Sequence, residues 1–327
     1  MTDAQNTSRE IAERPQDYLG PNLNPNGLVL KLHQLGEGIY ALMANIPPKD
    51  NNGVIIGEKY ALVIDAGING AISQQIQELV RQLTEKPLRY LVNTTYHGDH
   101  TFGNAAFPES VTVISSRQNK ESMRDLAYEK EMRFGNMRGD QDVLADVTTW
   151  RQPDVVFDHC CAIDLGNKIV ELWHFGPGNA PGDTVVYVPD AKVAWTGNFL
   201  MSAGIAPMLL EGGPGPYIET LKAMQRMLDV TTIVPGHGPM GEGKAALENF
   251  IAYMQYLQEH VGAAFASGRS LNEIQEYVPL PALLHIPTTM PATPEFQALL
   301  SDLHHLNVLA TYRALEEASS TSNRSQR

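Results

Sequence analysis

The segment Asn93-Thr94-Thr95-Tyr96-His97-Gly98-Asp99-His100-Thr101-Phe102-Gly103-Asn104 places two imidazoles and a carboxylate within four residues: His97, Asp99 and His100. Imidazole with carboxylate is a donor set for zinc, and iron or manganese also accept it. The segment follows the apolar run Tyr90-Leu91-Val92, so the donors sit on a loop leaving a strand. Taken alone, it is equally a polar loop with incidental histidines, because short motifs misfire often. Two further turns present a few polar side chains. One is Gly176-Pro177-Gly178-Asn179-Ala180-Pro181-Gly182-Asp183-Thr184, and the other is Val234-Pro235-Gly236-His237-Gly238-Pro239. Gly and Pro punctuate any fold, but loops held by a rigid sheet are also frequent seats of function.

The elements that must carry these turns follow from pattern. Ile39-Tyr40-Ala41-Leu42-Met43 reads as a strand. Residues 53–57 and 60–64 read as a hairpin across Glu58-Lys59. Ile72, Ile76, Leu79, Val80 and Leu83 recur at helical spacing. A charged, mostly helical stretch spans 117–147, with a solvated face as its default reading. Strands are expected near 154–163, 168–174, 184–189, 192–197 and 232–234. Helices are expected near 217–229, 243–266, 270–277 and 294–317. This order of elements suggests helices layered on two packed sheets.

The chain has 327 residues, of which 43% are apolar and 19% charged, an ordinary globular balance. Its net charge of -13 lacks the basic footprint of a nucleic-acid binder or of a protein held to an anionic membrane. The two cysteines, Cys160 and Cys161, are adjacent and read as reduced and buried. No apolar leader stands at the N-terminus and no run is long enough to span a membrane, so the expected location is cytoplasmic. Residues 1–27 read as a polar arm, 28–317 as one domain with C-terminal helices, and 318–327 as a flexible tail.

Together the three turns and their order resemble the metallo-β-lactamase superfamily over about residues 35 to 245. Ile64-Asp65-Ala66-Gly67 stands where the family has an Asp after an early strand. Thr95-Tyr96-His97-Gly98-Asp99-His100 stands for His-x-His-x-Asp-His. Gly178 to Asp183 stands for the middle Gly-His-Thr-x-Gly-Asp turn. Thr196-Gly197-Asn198 stands for the Thr-Gly-Asp strand end, and His237 for the last ligand. The resemblance implies an α+β fold, an αββα sandwich with the metals at one edge between the sheets.

The family's two-metal site does not carry over whole. His97, Asp99, His100 and His237 match ligand positions, whereas Thr95, Asn179 and Asn198 replace them. Thr and Asn are weak neutral donors. The resemblance therefore implies one divalent metal, zinc first and iron or manganese next. Asp99, His100 and His237 would hold it, with His97 and Asn198 as further candidates. Asp65 and Asp183 are expected to brace the loops, and His174 reads as a strand-end residue or a substitute ligand.

The activity this implies is hydrolysis of a small-molecule ester, thioester or lactone by metal-bound hydroxide, with His97 and Asp99 as the catalytic side chains. Two alternatives stand beside it. One is a lyase, isomerase or cyclase on the same fold, and the other is a metal-free binding or regulatory protein. Residues 201–210 are the candidate substrate wall, and Tyr217 is a candidate lining of an apolar pocket. Met224 and Met227 read as helical core.

Overall fold

Alternation along the strands gives each sheet two apolar faces. In Ala61-Leu62-Val63-Ile64, Ala61 and Val63 pack outward under a helix, while Leu62 and Ile64 pack inward against the other sheet. Val185-Val186-Tyr187-Val188 divides in the same way, with Val186 and Val188 inward. Such strands must be covered on both sides, and the computed structural model, which describes residues 20–201, 213–282 and 293–325, shows how.

The first sheet has seven strands in sequence order. They are β1 (Leu30–Gly36), β2 (Ile39–Ala44), β3 (Asn52–Ile56), β4 (Ala61–Ile64), β5 (Leu88–Val92), β6 (Thr112–Ser116) and β7 (Val155–Phe157). Helix α1 (Gly70–Leu83) starts at Asn69, whose side chain accepts from the Ile72 amide, and links β4 to the parallel β5. Its apolar stripe, Ile72, Ile76 and Val80, covers the outer face. A four-residue turn of helix, α2 (Gly98–Thr101), follows β5. Helices α3 (Arg117–Ser122) and α4 (Leu126–Arg133) lie between β6 and β7.

The second sheet has the order β13-β12-β11-β10-β9-β8. Its strands are β8 (Cys160–Asp164), β9 (Ile169–Trp173), β10 (Val185–Val188), β11 (Val193–Gly197), β12 (Thr232–Pro235) and β13 (Gly241–Glu242). The expected strand over 154–163 is two strands, because the chain changes sheet between Phe157 and Cys160. Helices α5 (Pro214–Met227), α6 (Gly243–Ala266), α7 (Leu271–Tyr277) and α8 (Pro294–Ser325) cover the outer face. The result is the αββα arrangement. Helix α8 runs through residues read as tail, to Ser325.

Three expectations about single residues change. Cys160 is exposed and Cys161 half-buried on β8, although both are free. Met224 is core, but Met227 is 58% exposed at the end of α5. Tyr217 is buried, and most of the expected substrate wall, 202–210, lies outside the described residues. No helix among the described residues is long and apolar enough to cross a membrane.

The helical layer contains one buried polar network. His304 Nε2 lies 2.9 Å from the Val278 carbonyl and Nδ1 lies 2.9 Å from the Tyr253 hydroxyl. A carbonyl only accepts, so the proton is on Nε2, and Nδ1 accepts from Tyr253. Burial pushes the His304 pKa down, only partly offset by the bond to Val278. A depressed histidine contributes stability above its unfolded pKa of about 6.5, and that contribution is lost as pH falls through the folded value. The melting temperature is therefore expected to drop more between pH 7 and 5 in the wild type than in His304→Gln, measured as paired melts. Equal drops would contradict this account of His304.

Candidate metal centre

The site lies where loops leave the strands of both sheets. Asp65 follows β4, residues 93–100 follow β5, Asn198 follows β11 and His237 follows β12. β4 runs parallel to β5, and β11 to β12, so these strand ends open at the same edge. Gly236 donates to the Gly197 carbonyl at 2.8 Å, which sets Asn198 beside the His237 turn. Gly197 has φ +50°, and any Cβ there would collide with Thr94, so the turn that aims Asn198 needs glycine.

Four ligand atoms from Asp50, Asp99, His100 and His237 lie within 4.8 Å of one another, all on buried residues. Asp99 Oδ2 is 3.2 Å from His237 Nε2 and 3.4 Å from His100 Nε2. The two Nε2 atoms are 3.4 Å apart. Asp50 Oδ1 is 3.4 Å from His237 Nδ1, which also contacts the Pro48 carbonyl at 2.8 Å.

Sequence reasoning missed Asp50. It precedes β3, on the loop after Pro47-Pro48, and pairs as a bridge with His237. Its neighbours are part of the same construction. Asn51 Nδ2 donates to the carbonyls of Pro235 (3.0 Å) and Gly238 (2.8 Å), and Asn52 Nδ2 donates to the Asp65 carbonyl (3.0 Å). The available signal was the run Asp50-Asn51-Asn52 immediately before an apolar strand: three polar side chains in a row that must enter the core together.

The electrostatics fit a cation. Burial, then the charge of Asp99, push the Asp50 carboxyl well above the usual carboxylate range. Burial opposes charge on Asp99 as well, but Arg133, His100 and His237 outweigh it and hold that carboxyl well below the range. Burial likewise opposes a proton on His100, yet Asp99 and Asp65 raise its pKa to about 10. A field that holds a proton on a buried imidazole favours any cation in that place. Asp50 Oδ1 and both Asp99 oxygens are buried without a hydrogen-bond partner among the described residues. Two carboxylates and two imidazoles suit zinc, and also iron or manganese.

Asp65 bonds both the motif loop and a histidine of the cluster. Its Oδ1 accepts from the Thr94 amide (2.8 Å), and its Oδ2 from the Thr94 hydroxyl (2.7 Å) and from His100 Nδ1 (3.0 Å). The last bond leaves His100 Nε2 facing the cluster. Asp65 itself has φ +60°, a left-handed conformation that Asn also tolerates. Asp65→Asn is therefore expected to keep the fold but to weaken metal binding about 10–100-fold, as loss of such a partner does. Competition with a colorimetric chelator measures it, and unchanged affinity would contradict the role.

The remaining expected positions gather beside the cluster. Asn198 Oδ1 is 3.2 Å from His100 Nε2, and its Nδ2 is 2.8 Å from His97 Nδ1. An amide nitrogen only donates, so His97 Nδ1 accepts and its proton is on Nε2. Thr95 Oγ1 is 3.3 Å from the same Nδ1. Burial, then Arg133, push the His97 pKa well below the ordinary value, leaving it neutral. Asn179 and Asp183 share the middle turn, where Asp183 Oδ2 accepts from the Ala180 amide at 3.0 Å. Burial raises the Asp183 pKa to about 7. His174 is not among the four clustered ligands, and its Nδ1 lies 2.9 Å from the Asp183 carbonyl.

The charged stretch 117–147 is not a solvated face throughout. Glu129 and Arg133 on α4 are buried at 2% and 4% exposure, and Met137 at 0%. Glu129 Oε1 accepts from the Gly98 amide (2.7 Å) and from Arg133 Nε (2.8 Å). Arg133 Nη1 reaches Asp99 Oδ1 at 3.5 Å. The i,i+4 pair Glu129–Arg133 thus clasps the motif loop.

Comparison with known proteins agrees with this geometry. The family model described as the metallo-beta-lactamase superfamily matches residues 47–237, more than half of the chain. A linear primary-alkylsulfatase of Pseudomonas sp. (strain ATCC 19151) is 22% identical over 264 residues, 67% of this chain. The match covers 48% of that enzyme, so the chain spans about half its length. A metallo-beta-lactamase type 2 of Bacillus sp. (strain 170) is 22% identical over 59% of this chain and 68% of its own. Among solved structures, a metallo-beta-lactamase from Pontibacter korlensis superposes with a TM-score of 0.54 at 17% identity, over 69% of this chain and 99% of that one. A double mutant of the sec-alkyl sulfatase PisA1 gives 0.65 at 17% identity, over 87% of this chain and 50% of that one. The chain belongs to the metallo-β-lactamase superfamily.

Proposed function

We propose that the protein is a metal-dependent hydrolase with one divalent metal, zinc in the first instance. Asp50, Asp99, His100 and His237 hold it, and the substrate is an ester, thioester or lactone of a small molecule. The observation that carries this reading is the cluster itself: four ligand atoms within 4.8 Å, with buried carboxylate oxygens that lack hydrogen-bond partners among the described residues. Superfamily membership and relatives named as alkylsulfatase and β-lactamase support hydrolysis as the reaction type.

When bound, a divalent metal in such a site supplies Lewis acidity and lowers the pKa of water toward about 7. The chain's own groups do the rest. Asp65 fixes the His100 ring. Asn198 holds His97 as the Nε2–H tautomer, so His97 acts as a hydrogen-bond donor to substrate. The donor groups of Thr95 and Asn198 on the His97 side favour one metal over two.

The test strips the protein of metal, reloads it with zinc, manganese or iron, and assays aryl esters, thioesters and lactones in ¹⁸O-labelled water. Activity that returns with one metal, with one labelled oxygen in the acid product, is the expected result. Turnover without incorporation of label would replace hydrolysis by lyase or isomerase chemistry.

A further inference from the structure

Beside the metal cluster two donors lack acceptors. Arg133 is 4% exposed, and its bonding is incomplete: Nε donates to Glu129, Nη1 makes only an ion-pair contact with Asp99, and Nη2 has no acceptor among the described residues. His97 is 3% exposed, and its Nδ1 is engaged by Asn198 and Thr95. That leaves its Nε2–H with no acceptor among the described residues. Neither atom is among the fully buried polar atoms that lack partners, so both donors face space that water or a ligand can enter. Two such donors flanking a catalytic cluster are a reason to look for the group that completes them.

The charge around them sets the class of that group. Thr95, Asn179 and Asn198 bring no charge to this half of the site. Glu129 is committed to the Gly98 amide and Arg133 Nε, and Asp99 turns Oδ2 toward His100 and His237. Arg133 is thus the fixed cation here, with a planar fork suited to carboxylate, sulfate or phosphate oxygens. Arg133 contacts Asp99, itself one of the four clustered ligands, so an anion on Arg133 lies next to the reacting centre.

We propose that Arg133 Nη2 and His97 Nε2–H form an oxyanion-binding subsite, and that the substrate carries a negatively charged oxygen group beside the bond that is cleaved. This rests on the hydrolase reading for its catalytic meaning, but the subsite is testable without turnover. Helix α4 delivers Arg133, and the segment beyond it is fastened to the N-terminal arm. Leu23 donates to the Asn136 carbonyl at 3.0 Å, and Asn24 Nδ2 to the Met137 carbonyl at 3.0 Å.

The experiment uses Glu129→Gln/Arg133→Met, which removes the guanidinium together with the charge of its partner on α4, with Arg133→Lys as the conservative variant. Zinc content and melting temperature check that the site and fold persist. The first arm titrates inorganic sulfate into zinc-loaded protein by calorimetry. Binding is expected in the wild type, at least tenfold weaker in the double variant and intermediate in Arg133→Lys. Equal binding in all three, which would mean sulfate sits on the metal alone, or no binding in any, overturns the subsite. The second arm compares an aryl ester bearing a free carboxylate with its methylated, neutral twin. The wild type is expected to prefer the anionic ester at least tenfold in kcat/KM through KM, and the double variant to lose the preference. A wild type that favours the neutral ester overturns the substrate class. Sulfate binding that depends on Arg133, with no ester cleaved, keeps the subsite and rejects the hydrolase reading.

Discussion

Asp50→Asn is expected to weaken zinc binding by at least about a hundredfold, beyond the 10–100-fold that loss of a ligand's supporting partner costs. It is also expected to leave the metal-free protein at least as stable as the wild type. The two effects have one cause. Asp50 is buried beside Asp99, and burial and that neighbouring charge push its carboxyl well above the usual range. Without a cation the second carboxylate is a burden, and an amide of the same shape relieves it. With a cation the same carboxylate supplies charge that an amide cannot. The stabilisation conferred by zinc should shrink accordingly, since a hundredfold weaker site forfeits about 2.7 kcal/mol of linkage at fixed excess metal. Chelator competition gives the affinity, and paired melts with and without zinc give the stability. Unchanged affinity in Asp50→Asn would remove Asp50 from the ligand set.

Asn51→Ala is expected to cost about 3–5 kcal/mol of unfolding free energy, since it leaves three backbone groups without partners at about 1–3 kcal/mol each. Those groups are the Pro235 and Gly238 carbonyls and the Ala44 amide, which donates to Asn51 Oδ1 at 3.0 Å. The Asn51 backbone adds a bond to the Gly236 carbonyl at 2.8 Å. Asn51 therefore ties the His237 turn to the first sheet, and its loss should loosen His237 and weaken metal binding along with the fold. Denaturant titration of metal-free protein isolates the fold term. A loss below about 1 kcal/mol would contradict the clamp.

Much of the architecture was legible because its signals are local. Alternation in Ala61–Ile64 and Val185–Val188 fixes which side chains face the sheet interface, and the spacing of Ile72, Ile76 and Val80 fixes the covering helix. The motif loop and the His237 turn were legible for the same reason: their donors are close in sequence or framed by Gly and Pro. Asp50 was not, since it stands outside the family's ligand pattern and reaches the cluster only through long-range pairing of its loop with the His237 turn. The role of Arg133 was not legible, because charge at i,i+4 spacing on a helix looks alike whether it faces water or a buried loop. Only the packing of α4 against the loop at Gly98 decides between them.

The account turns on how many metals the chain holds. Elemental analysis of tag-free protein, purified without chelator, is the most direct measurement. One equivalent per chain, retained in Thr95→Ala and lost in Asp99→Ala and His237→Ala, is the predicted result. Two equivalents would mean that the His97 side of the site also takes a metal. None, with no uptake of added zinc, manganese or iron, would mean that the protons and ion pairs of the cluster are its working state and not the place of a cation.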